Sequence, residues 1–435
     1  MHARKSQPHP IDKSRALQRR LYRAAKRSGS RRFHALYDRI VRPDVRWRAW
    51  VEVRANQGCP GVDGVSIEEV ERQGPAALLG ELAADLKAGT YRPLPVLRAE
   101  IPKPDGRMRP LGIPSVRDRI AQQACKIVIE PLFEANFLPC SYGYRPKRSA
   151  GQAMEAVKAA LVRSRYVVDA DIEGYFDKVD HEILMSLVAR RISDRRVLRL
   201  LRQWLHAGVI VNGQRHETRC GVPQGGVVSP LLANIYLHTL DRWWSDRHQR
   251  VGALHGYCDD FVIVCRSREA AQQAGDLVAG FLGRLKLTLH PTKTRVVDMS
   301  GEGFDFLGFH FHQRPSRRTG RVAPYAWPSQ KAMAAVRAKI RAHTDRRRLY
   351  VEQPELVGAL NRIIRGWRAY FSQGNATKKL ADLDRYVWRR LWMFYQKRRG
   401  SRGRLTPQAF AEWGRRSGLT YFYPKGRNGL RPCMP

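Results

Sequence analysis

No pair of cysteines in this 435-residue chain is spaced as C-x-x-C, and no C-x-x-C-H run occurs. Seven cysteines, an odd number scattered over a long chain, do not make a disulfide framework, and the usual zinc spacing is missing. Long apolar runs are missing too, so no stretch of the sequence is suited to span a bilayer. The N-terminal Met1-His-Ala-Arg-Lys5 leads into polar, basic sequence with no apolar signal core. These absences predict an intracellular, reduced protein of the cytoplasm. Negative charge is also scarce. Thirty-nine Asp and Glu face seventy-nine Lys and Arg, a formal charge of +40. Such a surplus repels itself unless a polyanion neutralises it. Nucleic acid is that polyanion, because phosphate contacts by Lys and Arg supply most sequence-independent affinity. Charge alone leaves an enzyme and a structural RNA-binder equally open.

Hydrophobic residues make up 43% of the chain, enough for a sizeable core. Residues 1–50 carry fifteen Lys and Arg against three Asp and Glu. Their apolar positions, as in Ser14-Arg-Ala-Leu-Gln-Arg-Arg-Leu-Tyr22, recur at helical spacing, which predicts basic amphipathic helices. Asn56–Val65 reads as a loop. Ile101–Pro114 reads as a hairpin turning at Pro104-Asp105-Gly106, and residues 118–137 read as a helix. Tyr166–Ile172 is a β-branched run ending on a carboxylate. Ser229-Pro230 opens a helix with serine as its cap. Val251–Tyr257 and Phe261–Cys265 are the arms of a hairpin around Cys258-Asp259-Asp260, and Ala270 to Leu285 carries an apolar helical stripe. Phe304–Phe311 alternates as one strand with a bulge at Gly308. Residues 313–328, rich in Pro, Arg and Gly, read as a linker, and a basic, aromatic helical region follows to about 398. No internal repeat or low-complexity tract interrupts this order.

The chemistry concentrates in the carboxylates. Asp259 and Asp260 at the tip of an apolar hairpin repel one another and call for a cation, and Mg²⁺ favours one or two carboxylates together with substrate phosphates. An Asp-Asp pair is also a common polar turn, and a lone strand-end aspartate is usually a cap. Asp171 gives a second acid-tipped β element in the same α/β unit, and two such elements provide what two-metal phosphoryl transfer needs.

Here the motifs become specific. Gly256-Tyr-Cys-Asp-Asp-Phe261 resembles the Tyr-x-Asp-Asp box of reverse transcriptases, Asp171–Asp177 their first catalytic motif, and Gly221-Val-Pro-Gln-Gly-Gly-Val-Val-Ser-Pro230 their nucleotide-pocket motif, in the family's order. More narrowly, the chain resembles bacterial group II intron-encoded reverse transcriptase–maturases, of the endonuclease-lacking, class C-like kind. Gly61-Val-Asp-Gly64, Tyr91-Arg-Pro93, Ile101–Pro114, Ser141-Tyr-Gly-Tyr-Arg-Pro146, His290-Pro-Thr-Lys-Thr294 and Phe304–Phe309 match successive motifs. Leu360–Phe371 is similar to the maturase region that doubles as the thumb. The resemblance covers roughly residues 55–398. It implies an α/β palm-and-fingers polymerase, the right-hand reverse transcriptase fold, with basic N-terminal helices and an α-helical thumb/maturase domain. The expected segments are a basic helical extension (1–55), fingers with the start of the palm (56–165), palm (166–312), linker (313–328), thumb/maturase (329–398) and a short basic tail (399–435).

The resemblance also implies roles. Asp171, Asp259 and Asp260 are expected to be catalytic and to bind two Mg²⁺ ions, the carbonyl of Ile172 adding a ligand. Lys103 and Arg109 on the basic hairpin should hold the triphosphate. Phe176 should lie under the sugar and exclude a 2′-hydroxyl. Gln224, in a loop whose glycines let backbone approach a ligand, should line the nucleotide pocket, and Lys293 the primer–nucleotide region. Arg19, Arg20, Arg23, Lys26, Arg27 and Arg365 are the expected RNA contacts. The aromatics from Trp367 to Tyr395 are expected mostly as helix-bundle core. The implied partners are group II intron RNA, an RNA template with a DNA primer, target DNA and deoxynucleoside triphosphates, with no membrane. Two departures stand out: Cys258 occupies a position where the family usually has alanine, and residues 399–435 lack the paired cysteines and His/Asn cluster of an endonuclease domain. Tyr421–Lys425 and Arg431 fit either a DNA-binding tail or a segment docked on the thumb. The alternative function is a free-standing relative recruited for DNA repair, antiphage defence or CRISPR spacer acquisition.

Overall fold

Apolar spacing decides the first element. The computed structural model describes residues 10–102, 106, 108–316, 318–400, 403 and 405–423. The helix Pro10–Arg27 buries Ser14, Leu17, Leu21 and Ala25, a three-and-four spacing that lines one helical face. It packs on the helix Val116–Glu134, where Gln18 Nε2 donates to the Ile127 carbonyl at 3.0 Å and Lys26 Nζ to the Ala135 carbonyl at 3.1 Å. Arg19, Arg20, Arg23 and Arg27 stay exposed.

Among the described residues, three sheets form. The first starts with the expected basic hairpin: β1 (Val96–Pro102) and β2 (Met108–Ile113) pair antiparallel from Leu97↔Ile113 to Pro102↔Met108. β3 is Tyr166–Asp171. β4 (Val209–Val211) lies parallel to β1 and turns into β5 (Gln214–His216). That turn, Asn212-Gly213 with φ of 51° and 80°, is the Asn-Gly type I′ hairpin signal, a local cue that the sequence carries openly. The sheet order is β2-β1-β4-β5. The second sheet contains β6 (Ala253–Tyr257), β7 (Asp260–Cys265) and β8 (Arg295–Asp298) in the order β6-β7-β3-β8. Phe261 to Cys265 are buried without a break, the mark of a strand covered on both faces.

The third sheet corrects two expectations. Phe304–Phe311 is not one bulged strand. β9 (Phe304–Phe306) and β10 (Phe309–Pro315) pair antiparallel, Phe306 opposite Phe309. Leu307 and Gly308, with φ of 50° and 77°, are the two-residue turn between them. The stretch 313–328 is not a linker either. β10 continues to Pro315 and pairs with β11 (Val322–Pro328) from Phe309↔Pro328 to Pro315↔Val322. β11 is an edge of that sheet, where a strand proline such as Pro324 is tolerated. The helix Ser229–Arg247 departs in a detail: its cap is Val228, Ser229 is the first helical residue, and no side-chain capping bond forms.

Beyond β11 the helices Gln330–His343, Gln353–Phe371, Thr377–Arg399 and Pro407–Arg416 share a core of Val336, Ile340, Leu360, Leu383, Leu391 and Phe394. Phe410, Leu419 and Phe422 join that core. The Asp384 carboxylate accepts the amides of Phe422 and Tyr423 at 2.7 and 2.9 Å, so the tail docks at least through Tyr423; Lys425 and Arg431 lie outside the described residues. Trp388 is buried, and Trp367, Tyr386, Trp392 and Tyr395 pack partly buried against the same core.

The chain divides into two compact units, described by residue. The first comprises Met1–Arg148, Ala170–Phe261 and Gln273–Thr294, the second Ser149–Asp169, Val262–Gln272 and Arg295–Pro435. The division passes along β3 and β7, whose Asp171 and Asp260 ends belong to the first unit. No helix among the described residues is long and apolar enough to cross a membrane.

Candidate active site

Two strand ends meet at the acids. β3 stops at Asp171, and the next amide, Ile172 N–H, donates to the Asp259 carbonyl at 3.2 Å. On its other side the Asp171 carbonyl accepts His290 N–H at 2.8 Å. The backbone of β3 is thus fixed both to the turn of the β6–β7 hairpin and to the segment before β8. The turn itself is locked. Cys258 adopts φ 63° and is buried. A Cβ on Gly143 would come within 2.7 Å of Cys258 N, so only glycine fits at 143. Gly256 N–H donates to Cys140 O, and Tyr142 N–H returns a bond to Gly256 O. Cysteine therefore packs in place of the usual alanine, and burial pushes its thiol well above its ordinary range, which leaves it inert rather than reactive.

The electrostatics favour a cation. Asp259 is half-buried, and its carboxyl is raised first by burial and then by the negative charge of Asp171, with Arg109 opposing. Lys293 Nζ stands 2.5 Å from Asp171 Oδ2. Asp260 opens β7, half-buried and outside the cavity lining. Among the described residues no cluster of three His, Cys, Asp or Glu forms a self-sufficient metal cage. Two hard carboxylates facing one cavity are instead the kind of partial donor set that suits Mg²⁺ taken up with substrate phosphates.

That cavity, about 710 Å³, is lined by Arg109, Asp171, Ile172, Phe176, Gln224, Asp259 and Lys293 among others, all from the first unit. Seven of the residues singled out from sequence therefore converge. Lys103 lies outside the described residues. The outer cationic residues are elsewhere: Arg19, Arg20, Arg23, Lys26 and Arg27 on the first helix, and Arg365 exposed on Gln353–Phe371 in the second unit.

The loop 221–226 lines the cavity through Gln224, Gly225 and Gly226. Its glycines also bring backbone close to the protein's own chain. A Cβ at Gly221 (φ 85°) would meet the Asp177 and Phe176 carbonyls at 2.9 and 3.0 Å, and one at Gly225 (φ 111°) the Gly112 carbonyl at 2.5 Å. Val222 N–H donates to Phe176 O at 2.7 Å and Gly112 N–H to Gln224 O at 2.6 Å. The loop thereby fixes both Phe176 and the β2 side of the cavity. Asn56, Gln123, Lys126, Tyr144 and His290 also line the cavity, although sequence reasoning gives them no role there. Tyr144 and His290 fall inside recognisable motifs, whereas nothing in the sequence marks Asn56, Gln123 or Lys126.

Comparison with known proteins agrees with this geometry. Residues 101–311 match the family model described as "Reverse transcriptase (RNA-dependent DNA polymerase)", and residues 333–409 that described as "Group II intron, maturase-specific domain". "Protein YkfC" of Escherichia coli (strain K12) is 37% identical over 355 residues, 73% of this chain and 93% of that protein. "Group II intron-encoded protein LtrA" of Lactococcus lactis subsp. cremoris is 39% identical over 219 residues, 48% of this chain but only 35% of that longer protein. A solved chain of the "Partial Cas6-RT-Cas1--Cas2 complex" is 27% identical over 57% of this chain and 41% of its own, with a TM-score of 0.36, too loose a fit to bear on function.

Proposed function

The chain belongs to the group II intron-encoded reverse transcriptases, and we propose that it binds the folded intron RNA encoding it, promotes that intron's splicing, and copies the intron during retrohoming at a DNA target. RNA-directed DNA polymerase activity comes with the family, as does dependence on a divalent metal. The observation that carries the finer reading is the presence, in one chain, of a carboxylate cavity for DNA synthesis and a maturase-specific region.

Polymerisation joins the primer's 3′ oxygen to the α-phosphorus of a deoxynucleoside triphosphate and breaks the bond to the bridging oxygen, releasing pyrophosphate. We assign Asp171 and Asp259, with Asp260 and the Ile172 carbonyl, as ligands of two Mg²⁺ ions, which would activate the hydroxyl and neutralise the leaving oxygens. Arg109, exposed on β2, holds the triphosphate together with Lys103, where a guanidinium fork matches phosphate geometry. Phe176 lies beneath the sugar and closes the space a 2′-hydroxyl would need, and Gln224 borders the same nucleotide. Lys293 neutralises Asp171 between turnovers and, half-exposed, is free to meet primer or nucleotide phosphate when a metal takes that carboxylate. The segment names (fingers, palm, thumb/maturase) belong to this proposal, and so do the exposed arginines of the first helix and Arg365 as RNA contacts.

The test is splicing of the RNA that flanks the gene, with and without protein at moderate Mg²⁺, alongside sequencing of co-purifying RNA. Faster splicing of a flanking intron supports the proposal. Unchanged splicing with intact primer extension removes the maturase role and leaves a free-standing reverse transcriptase, serving repair, antiphage defence or CRISPR spacer acquisition.

A further inference from the structure

One wall of the catalytic cavity carries an exposed aromatic ring. Tyr144 is 55% exposed, borders the cavity that holds Asp171 and Asp259, and has its backbone at φ 53°. A left-handed conformation is ordinarily given to glycine or asparagine, and a bulky residue held there is an outlier that tends to mark a functional constraint. The strain is imposed from both sides. Gly143, which cannot carry a Cβ beside Cys258, has its carbonyl bound by Asn234 Nδ2 at 2.9 Å. Arg145, buried, forks onto Glu134 at 2.7 and 3.0 Å and donates to the Leu138 and Ser141 carbonyls at 2.6 Å each. Both neighbours are anchored, and at residue 144 itself glycine would adopt φ 53° without steric strain. More than half of the tyrosine's surface stays exposed.

The geometry points to Tyr144 as a substrate-positioning residue whose ring packs against a nucleobase of the pair being formed, that of the incoming nucleotide or that of the primer end. This rests on the polymerase reading of the cavity. A nucleobase is the ligand chemistry that fits: the cavity's cations, Arg109 among them, and its carboxylates handle phosphate and metal, and an aromatic face adds base stacking that tolerates every sequence. Phe176 sits in the same cavity for the sugar, Tyr175 is buried and His290 is half-buried, so the ring at 144 is the most exposed aromatic ring among the lining residues and the one best placed to meet a base.

The experiment is primer extension by the full chain on an RNA template, comparing wild type with Tyr144→Phe, Tyr144→Ala and Tyr144→Gly. Tyr144→Phe should stay within about twofold, because the ring and not the hydroxyl makes the contact. Tyr144→Ala and Tyr144→Gly should raise the KM for nucleotide, or the Kd for primer–template, roughly tenfold or more, while kcat changes far less. Tyr144→Gly should melt at or above the wild-type temperature, since it removes the left-handed strain. An abasic residue at the primer's 3′ end separates the two sources. It abolishes the wild-type advantage over Tyr144→Ala if the ring stacks on the primer base, and preserves it if the ring stacks on the incoming base. Affinities within about twofold of wild type for Tyr144→Ala, or a loss as large for Tyr144→Phe, would overturn the proposal. So would a fall in melting temperature for Tyr144→Gly that accounts for its lost activity. A wild-type chain that extends no primer overturns the polymerase reading itself and this one with it.

Discussion

At Asp259 a single charge separates the two halves of the proposed chemistry. The carboxyl is raised by burial and by Asp171, so without a cation the pair is an electrostatic burden on the fold, and with one it becomes a binding site. Asp259→Asn keeps the shape and removes the charge. Primer extension should fall below about a thousandth of wild type, roughly 4 kcal/mol of barrier, while melting temperature holds or rises. Residual extension above that level would argue that Asp259 is not a metal ligand. Phe176 offers a second test at this scale. It is half-buried, edge-on to Tyr175 with ring centroids 5.5 Å apart, and its carbonyl is tied to Val222, so the ring can be shortened without freeing the backbone. Phe176→Ala should lower the preference for deoxynucleotides over ribonucleotides roughly tenfold or more, read as the ratio of the two specificity constants. An unchanged ratio would make Phe176 ordinary packing.

Among elements, the β9–β10 hairpin puts a leucine where a type I′ turn prefers asparagine. Leu307 at φ 50° precedes Gly308 at φ 77°, and a left-handed non-glycine residue costs about 1–2 kcal/mol. Leu307→Asn restores the Asn-Gly pair and should stabilise the chain by about 0.5–1 kcal/mol in urea unfolding; a loss would mean that the half-buried leucine side chain packs better than its backbone suggests. Gly308→Val should destabilise by at least as much, since a β-branched residue is strained at φ 77° whatever the space around it. In the helical unit, burial pushes the Asp384 carboxyl up to about 6 even though two amides donate to it. A folded value above the unfolded one means stability that is present below about pH 4 and is lost as pH climbs through about 6. Asp384→Asn removes that titration. Its melting temperature should vary less between pH 4 and 7 than that of wild type, and parallel curves would assign the pH dependence to other groups.

For the whole molecule, +40 is the governing number. Carboxylates and metals run polymerisation, whereas an exposed basic surface holds folded RNA, so the two activities should separate by mutation. Changing Arg19, Arg20, Arg23 and Arg27 to Ala should weaken intron binding and splicing more than extension of a short generic primer. The slope of log affinity against log salt should become shallower by up to about 3, at ~0.7 for each single-strand phosphate no longer neutralised. Lys26 is best left in place, because it donates to the Ala135 carbonyl and its removal would mix stability with binding. An unaltered salt slope would move the RNA surface away from the first helix.

Much of this protein is legible in its sequence because the relevant signals are local or periodic. The burial of Leu17, Leu21 and Ala25 follows from helical spacing, and the hairpin β6–β7 follows from two apolar runs around paired acids. Charge named the class of partner, and the order of motifs named the family. What the tertiary structure decided is everything that depends on backbone pairing between distant segments. A bulge and a two-residue turn both shift an alternating pattern by one position, so Phe304–Phe311 reads the same either way until Phe306 is seen opposite Phe309. Composition made 313–328 a linker, yet an edge strand accepts proline because its outward amides need no partner. The glycines of 221–226 read as room for a ligand, and only the tertiary structure adds that Gly221 and Gly225 also approach the carbonyls of Gly112, Phe176 and Asp177. The left-handed backbone of Tyr144 has no sequence signature at all. Its neighbours are held by distant contacts, Gly143 against Cys258, more than a hundred residues along the chain, and Arg145 on Glu134, and a sequence read in order does not register contacts of that kind.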